Sequence, residues 1–310
     1  MLSTRKLQRL LPLHHHMVQP DLIVDLGRYV TFPEGYRPTN PSIARYGQDL
    51  LVSVRGVAYE LDAKGRYSST PGSPPSLNRL LLLSDDLTPK GIPPLSQNKL
   101  DYLEDLKLFT GLGRMWGVCS LVSRCSRGPE TCVIALVEFN EDLTDCHIVP
   151  LASPLHHQVE KNWAPFFIDN NLYFIYSFQP TVLLRYDPAN RTVSFAAPPR
   201  ADYGSLQFLE GGSSAGIPTA FGTVFLTHRR VARLPSRRRI YLSRIRRLKT
   251  DSKDLSAGPF FSIGPPALQF TNGFLLEDDR AVITYGEMDA AAKLACFPRS
   301  RFERALFPSA

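Results

Sequence analysis

The stretch Glu160-Lys161-Asn162-Trp163-Ala164-Pro165-Phe166-Phe167-Ile168-Asp169-Asn170-Asn171-Leu172-Tyr173-Phe174-Ile175-Tyr176-Ser177-Phe178 contains a complete structural plan. A short polar motif opens it and an apolar segment, Pro165 to Ile168, follows. Asp169-Asn170-Asn171 then has the composition of a tight turn, and Leu172 to Phe178 returns as a second apolar segment. Aromatic and β-branched residues in short runs, separated by Asn and Asp, read as two strands of a hairpin.

The same plan recurs on either side. Upstream are Asn40-Pro41-Ser42-Ile43-Ala44 with a turn at Gly47-Gln48-Asp49 and a return over Leu50 to Val54, and Glu104-Asp105-Leu106-Lys107-Leu108-Phe109 with a turn around Gly111 to Gly113 and a return over Met115 to Leu121. Downstream, Ser213-Ser214 leads through Ile217 to Ala220, turns at Phe221-Gly222 and continues over Thr223 to His228. The last unit starts near Gln269-Phe270, turns at Glu277 to Asp279 and ends in Ala281 to Tyr285. The turns are spaced by roughly 50 to 65 residues, the length of a four-stranded blade with its loops. Further strands follow at Arg79 to Leu83, Cys132 to Phe139, Val182 to Tyr186, Ile240 to Ile245 and Ala291 to Phe297. A β-sandwich would supply similar strands but not five returns of one unit. The expected fold is all-β, a five-bladed β-propeller over residues 38–310, preceded by an N-terminal arm, residues 1–37, that could add a closing strand.

Composition agrees with this reading. The chain has 310 residues, 43% of them hydrophobic, enough for a sizeable core. Its 26 Pro and 20 Gly are spread along it, as many short strands require. No apolar run approaches the roughly 18 residues of a membrane span. The first twenty residues are basic but lack a signal-peptide core, which leaves a frayed arm as the preferred reading over a transit peptide. The five cysteines (Cys119, Cys125, Cys132, Cys146 and Cys296) form no C-x-x-C pair. They read as free thiols of a reducing, cytoplasmic compartment. No metal or cofactor motif is present, and His14-His15-His16 sits in the arm.

The net charge of +7 comes from one place: ten Arg or Lys lie between Arg229 and Lys249, and no acid lies between Gly211 and Thr250. A solvated, charged edge strand is the first reading of this segment and an anionic ligand the second. Nucleic acid comes last, since no recognisable nucleic-acid motif accompanies the arginines.

In a propeller the first strand of each blade lines the central channel, so the polar motifs that open those strands should meet at one mouth. Asn40, Glu104-Asp105, Glu160-Lys161 and Ser213-Ser214 would become neighbours. These motifs, with Arg55, Asn162-Trp163, Thr227-His228, and Tyr285-Gly286 followed by Asp289, resemble those of the five-bladed propeller glycosidases. The nearest resemblance is to glycoside hydrolase family 130, the β-mannoside phosphorylases and hydrolases, and its mannosyltransferase relatives. It spans about Pro38 to Phe297.

The resemblance implies a carbohydrate-active enzyme that cleaves or transfers a mannose-like unit of an oligosaccharide or activated sugar. Asp105 matches the family's general acid, which protonates the leaving oxygen through a sugar hydroxyl. Asn40, Arg55 and Asp289 match residues that hold the sugar, and Lys161 and His228 match polar residues near it. Ser42, Glu104 and Asn162 complete the expected substrate-binding set. Two departures bear on the nucleophile: Lys107 stands where the family has arginine, and Tyr176-Ser177 where phosphorylases carry His-Arg. Lysine lacks the bidentate fork of arginine, so hydrolysis or transfer is expected over phosphorolysis. Asp105 is expected to be held protonated beside Glu104. The carboxylates available as base are Glu160, Glu210 and Glu287. Trp163 and Trp116 read as core or as sugar platforms, and Tyr59 and Tyr67 as residues that shape an acceptor site. The alternative is a non-catalytic propeller that binds a glycan or an anionic partner.

Overall fold

The computed structural model describes residues 15–61, 67–69, 76–123, 131–197, 210–233, 238–249 and 255–307. Five sheets are arranged as the blades of a propeller. The first blade is Arg37–Tyr46, Asp49–Val57, Leu77–Leu83 and Pro89–Gly91, and the second is Leu103–Gly111, Arg114–Ser123, Thr131–Phe139 and Cys146–Leu151. The third is Ala164–Ile168, Asn171–Phe178, Thr181–Asp187 and Thr192–Phe195. In each, successive strands pair antiparallel, so each blade is a meander running outward from the channel.

The fourth blade departs from the expected plan at both edges. Its inner strand is broken into Gly211–Gly212 and Ile217–Thr219, both paired to Gly222–Arg233. Arg238–Leu248 and Leu255–Ile263 follow, and His15–Val18 adds in parallel outside them. The fifth blade is Gln269–Leu276, Arg280–Glu287 and Ala291–Pro298, with Leu22–Asp25 antiparallel on its outer side. Residues 15–25 therefore form strands of two neighbouring blades rather than a frayed arm, and they stitch the last blades together. A short hairpin, Tyr59–Leu61 with Tyr67–Ser69, stands apart from the blades.

Both faces of a blade are buried, and its strands are apolar on both sides for that reason. Along Asn171–Phe178, Leu172, Phe174 and Tyr176 turn toward the second blade and pack with Phe109, Leu136 and Trp163. Ile175 and Phe178 turn the other way, onto Phe225 and Leu248 of the fourth blade. The alternation is the period-2 pattern of a strand. It is offset by a bulge at Tyr176, where the register to the next strand shifts. Three further clusters fill the remaining junctions: Leu51 and Leu80 with Leu106 and Val137, Val224 and Phe261 with Phe274 and Ile283, and Ile43 and Val52 with Val282 and Leu294. Burying one such large side chain stabilises the fold by about 1.5–3 kcal/mol.

Candidate active site

The inner strands of the blades are tied to one another near their beginnings. Asn40 of the first blade donates to Asp105 of the second at 2.9 Å. Lys107 of the second blade reaches Asn162, which precedes the third, at 3.5 Å, and the Asn162 carbonyl accepts from Gly212 of the fourth at 3.1 Å. Thr271 of the fifth blade donates to Ser213 at 2.9 Å, and Asn272 closes the ring by donating to the Asn40 carbonyl at 3.1 Å. The belt joins all five blades and brings the polar motifs of the sequence to one end of the channel.

Local backbone explains why these residues are Asn and Asp. Asn40, Asp105 and Asn162 have φ of 41°, 53° and 62°, and Asp289 has 49°. Asn and Asp tolerate this left-handed region better than other non-glycine residues. The register slips beside Asn40 and Asp105, between Thr39 and Ser42 in one blade and between Val118 and Ser120 in the next. Each slip marks a bulge that re-aims the side chain. Glycine serves the same crowding: a Cβ on Gly286 would lie 2.1 Å from Asn40 Oδ1, so Tyr285-Gly286 leaves room for the belt.

Asp105 is the most constrained acid at this mouth. Arg55 Nη1 lies 2.8 Å from Asp105 Oδ1 and donates to it, while Arg55 Nε donates to Ser76 at 2.7 Å. Burial alone would raise the Asp105 carboxyl. The charges of Arg55, Lys107 and Lys161 and the bond from Asn40 overcome it and hold the group below the usual carboxylate range. The expectation of a protonated Asp105 is corrected here, because the cations facing it outweigh its burial. Glu104 pairs instead with Lys161 at 3.0 Å, and more distantly with Arg55 at 3.7 Å. Lys107 is buried, and loss of hydration lowers its pKa despite Asp105 and Glu104.

Asp289 differs. It is 8% exposed, and burial, aided by the charges of Asp105 and Glu104, pushes its carboxyl up to about 6 against the pull of Arg55 and Arg37.

A cavity of about 350 Å³ opens beside the belt between the third and fourth blades. Glu160, Lys161, Tyr176, His228, Arg229 and Arg230 are on its wall. Glu160 is 4% exposed; its Oε2 accepts from Trp163 Nε1 at 3.3 Å, and its Oε1 is buried without a hydrogen-bond partner. The Tyr176 phenol is driven well above its ordinary value by burial and by the adjacent Glu160 carboxylate, to which it bonds. His228 Nδ1 meets Ser213 Oγ at 2.8 Å, and burial together with Lys107 lowers its pKa to about 3, so the ring is neutral. Lys161 and Asn162 line the cavity and also bond to Glu104 and Lys107, which ties the cavity wall to the strand that carries Asp105.

Several expectations change. Glu210 is no base: Arg246 grips it through Nε at 2.8 Å and Nη2 at 2.6 Å, Thr227 donates at 2.6 Å, and these bonds overcome burial to keep its pKa low. Ser42 is fully buried, and its hydroxyl accepts from the Leu108 N–H at 2.8 Å, so it joins blades instead of facing a ligand. Glu287 is paired with Lys293 and accepts from Gln269 at 3.4 Å. Trp163 is core, its ring tilted against both Phe174 and Tyr176 at centroid distances of 5.5 Å, and Trp116 packs beside Phe109 and Phe167.

The basic segment is not a solvated edge. Arg238–Leu248 has a strand on each side, Arg246 and Arg247 are buried, and the Arg244 guanidinium lies 3.7 Å over the Phe260 ring. Arg237, and the side chains of Arg238 and Arg239, lie outside the described residues, as do Cys125 and the Tyr67 side chain. Two residues carry no sign of their place in the sequence reading: Asn272, which closes the belt, and Tyr241, which lines the cavity. The first carries no motif of its own. The second could have been found by pairing, since it stands opposite Arg230. Among the described residues no group of three or more His, Cys, Asp or Glu could hold a metal ion, and no helix is long and apolar enough to cross a membrane.

No family model matches the sequence, and no curated protein matches it. Solved structures do match. The β-1,2-mannobiose phosphorylase from Listeria innocua superposes with a TM-score of 0.60 at 16% identity, over 92% of this chain and 96% of that one. The chain has the fold of the mannoside phosphorylases. A GDP-Man-dependent mannosyltransferase from Leishmania mexicana matches at TM-score 0.59 and 13% identity over 89% of each chain. A mannose phosphorylase from the same organism, in complex with phosphate ion, matches at 0.56 and 16% over 89% of this chain and 90% of that one.

Proposed function

We propose that the protein is a carbohydrate-active enzyme that cleaves or transfers a mannose-like unit at the mouth formed by the belt, with Asp105, ionised in the empty site, taking up a proton when substrate binds and passing it to the leaving oxygen. The observation that carries this reading is the fixing of Asp105 by Arg55 and Asn40 from the neighbouring blade, at a belt whose Asn162 also lines a cavity large enough for a sugar. Proteins of the same fold act on mannosides by phosphorolysis or use GDP-Man as donor, by their descriptions, which supports the mannose-like substrate class. Inversion needs a second group to activate the nucleophile. Glu160 suits that role: it lines the cavity with one carboxylate oxygen unpartnered, whereas Glu210 and Glu287 are held by cations.

Water or an acceptor hydroxyl is the favoured nucleophile. Lys107 offers phosphate a point charge and not a fork, and Tyr176 engages Glu160 where phosphorylases carry a basic pair. A second reading, with phosphate on the incoming or leaving group, is favoured by Lys161, Arg229 and Arg230 on the cavity wall. An assay on mannosides with and without phosphate, and with mannose 1-phosphate or GDP-mannose plus acceptors, separates the two. Turnover that needs no phosphate supports the first reading, and turnover that requires it supports the second. Sugar binding with no turnover across the whole panel supports a non-catalytic glycan-binding propeller.

A further inference from the structure

We propose that the buried hydroxyls of Ser243, Thr271 and Ser213 hold His228 as the neutral tautomer with its proton on Nε2, and that this N–H donates to an oxygen of the sugar in the cavity. That the ligand is a sugar rests on the functional reading given for this mouth; the tautomer stands on the hydrogen bonds.

The side chains meet across two blades. His228 of Gly222–Arg233 stands opposite Ser243 of Arg238–Leu248 and, on its other side, opposite Gly211 of the broken inner strand. Thr271 comes from Gln269–Leu276, the inner strand of the fifth blade. All four polar side chains are buried, so each proton needs an acceptor within the protein. Thr271 donates to Ser213 at 2.9 Å. A hydroxyl has one proton to give, so in the 3.2 Å contact between Ser243 and Thr271 the donor is Ser243. Ser213 then has its own proton to place. The acceptor that the described residues offer it is His228 Nδ1, at 2.8 Å. A nitrogen that accepts carries no hydrogen, so the neutral ring holds its proton on Nε2.

The same count disfavours the imidazolium. A proton on Nδ1 would reverse the bond to Ser213 and leave that hydroxyl's proton without an acceptor in a fully buried place. Burial and the charge of Lys107 act in the same direction, against Asp105 and Glu210. His228 therefore presents a donor without a charge. Its ring is pinned by Phe270 at 4.5 Å and Tyr241 at 5.6 Å between centroids. The Cε1–Nε2 edge lies over Gly211, where a Cβ would stand 2.9 Å from Cε1, 3.0 Å from Nε2 and 3.2 Å from the Asn162 Cβ. Gly211, Asn162 and His228 all line the cavity, and among the described residues Nε2 has no hydrogen-bond partner. An uncharged N–H suits a sugar hydroxyl or ring oxygen. A phosphate in the same place would favour the charged ring and strand the Ser213 proton.

Nitrogen-15 NMR of the full, ligand-free chain reads the tautomer directly. His228 is recognised among the seven histidines by its contact with the Phe270 ring. Nε2 should carry the proton, Nδ1 should be a bonded acceptor, and neither should titrate between about pH 5 and 8. Mannose should shift the Nε2–H resonance. Ser213→Ala should move Nδ1 toward an unbonded acceptor, a signature that lost stability alone would not give, and should weaken mannose binding about 2- to 10-fold. A proton on Nδ1, an imidazolium at neutral pH, or an Nε2–H resonance that mannose leaves unmoved would overturn the inference. So would inorganic phosphate that adds a proton to the ring. A chain with no turnover on any sugar would sink the enzyme reading and leave these signals to decide this one.

Discussion

Arg55 and Asp105 are 50 positions apart in the chain, on different blades, and their charged atoms lie 2.8 Å apart with side chains only 5% and 13% exposed. Burial opposes the charge on both. Glu104 and Asp105 hold the guanidinium firmly protonated, and Arg55, with the two lysines, holds the carboxylate ionised. The pair therefore sets the chemistry of the mouth and also links the first blade to the second.

Breaking that pair should cost stability steeply. Removing one partner of a buried ion pair costs about 3–5 kcal/mol, because the other is left uncompensated. Arg55→Met should lose stability in that range by urea unfolding, and Arg55→Met with Asp105→Asn together should lose much less than the sum of the singles. Additive losses in this double-mutant cycle would mean that the two groups are not coupled.

Glu210 is a structural anchor, with two bonds from Arg246 and one from Thr227. Glu210→Gln should lower the free energy of unfolding by about 3 kcal/mol or more. Turnover per folded molecule should stay near that of the parent. A folded variant that has lost turnover would return Glu210 to the list of bases.

Asp289 should make stability depend on pH in the sense opposite to most carboxylates. Its folded pKa, about 6, lies above the unfolded value of 3.8. The folded state therefore holds the proton more tightly, and the associated stability is complete below the unfolded pKa and lost as pH rises through the folded one. The loss above about pH 6 is about 3 kcal/mol. Asp289→Asn should be the more stable protein at pH 7.5, with the difference gone near pH 4. Equal urea midpoints at both pH values would contradict the burial argument.

His228 works the other way. Its folded pKa of about 3 lies below the ordinary 6.5, because burial and Lys107 disfavour the imidazolium. Its contribution is full above pH 6.5 and falls as pH drops toward the folded value. His228→Gln should flatten the acid side of the stability profile, and an unchanged acid limb would count against a buried, neutral ring.

The parts of the fold readable in the sequence were the local ones. The turns at Gly47, Leu112, Asp169-Asn170, Phe221 and Asp278-Asp279 fall where strand-former runs are interrupted, and each joins the first two strands of a blade. What stayed hidden was set by partners distant in the chain. Arg246 reads as surface charge until Glu210, 36 positions away, is placed beneath it. The protonation of Asp105 depends on Arg55 and Lys161 from other blades. Residues 15–25 offer only runs as short as Leu22-Ile23-Val24, and closure of the ring gives them an edge to pair with. Ser42 looked like a ligand group because its role, accepting from the Leu108 N–H, lies between blades.

The most direct test of the account is turnover of mannosides, in phosphate-free buffer and with sugar-phosphate donors, by the parent chain and by Asp105→Asn. Turnover by the parent without phosphate is expected, with a loss of about 10²–10⁴-fold per folded molecule in the variant, which keeps sugar binding but is less stable because its pair with Arg55 is broken. Turnover that survives in Asp105→Asn would contradict the role given to Asp105, and a parent chain that binds sugar yet turns over none of these substrates would contradict the enzyme itself.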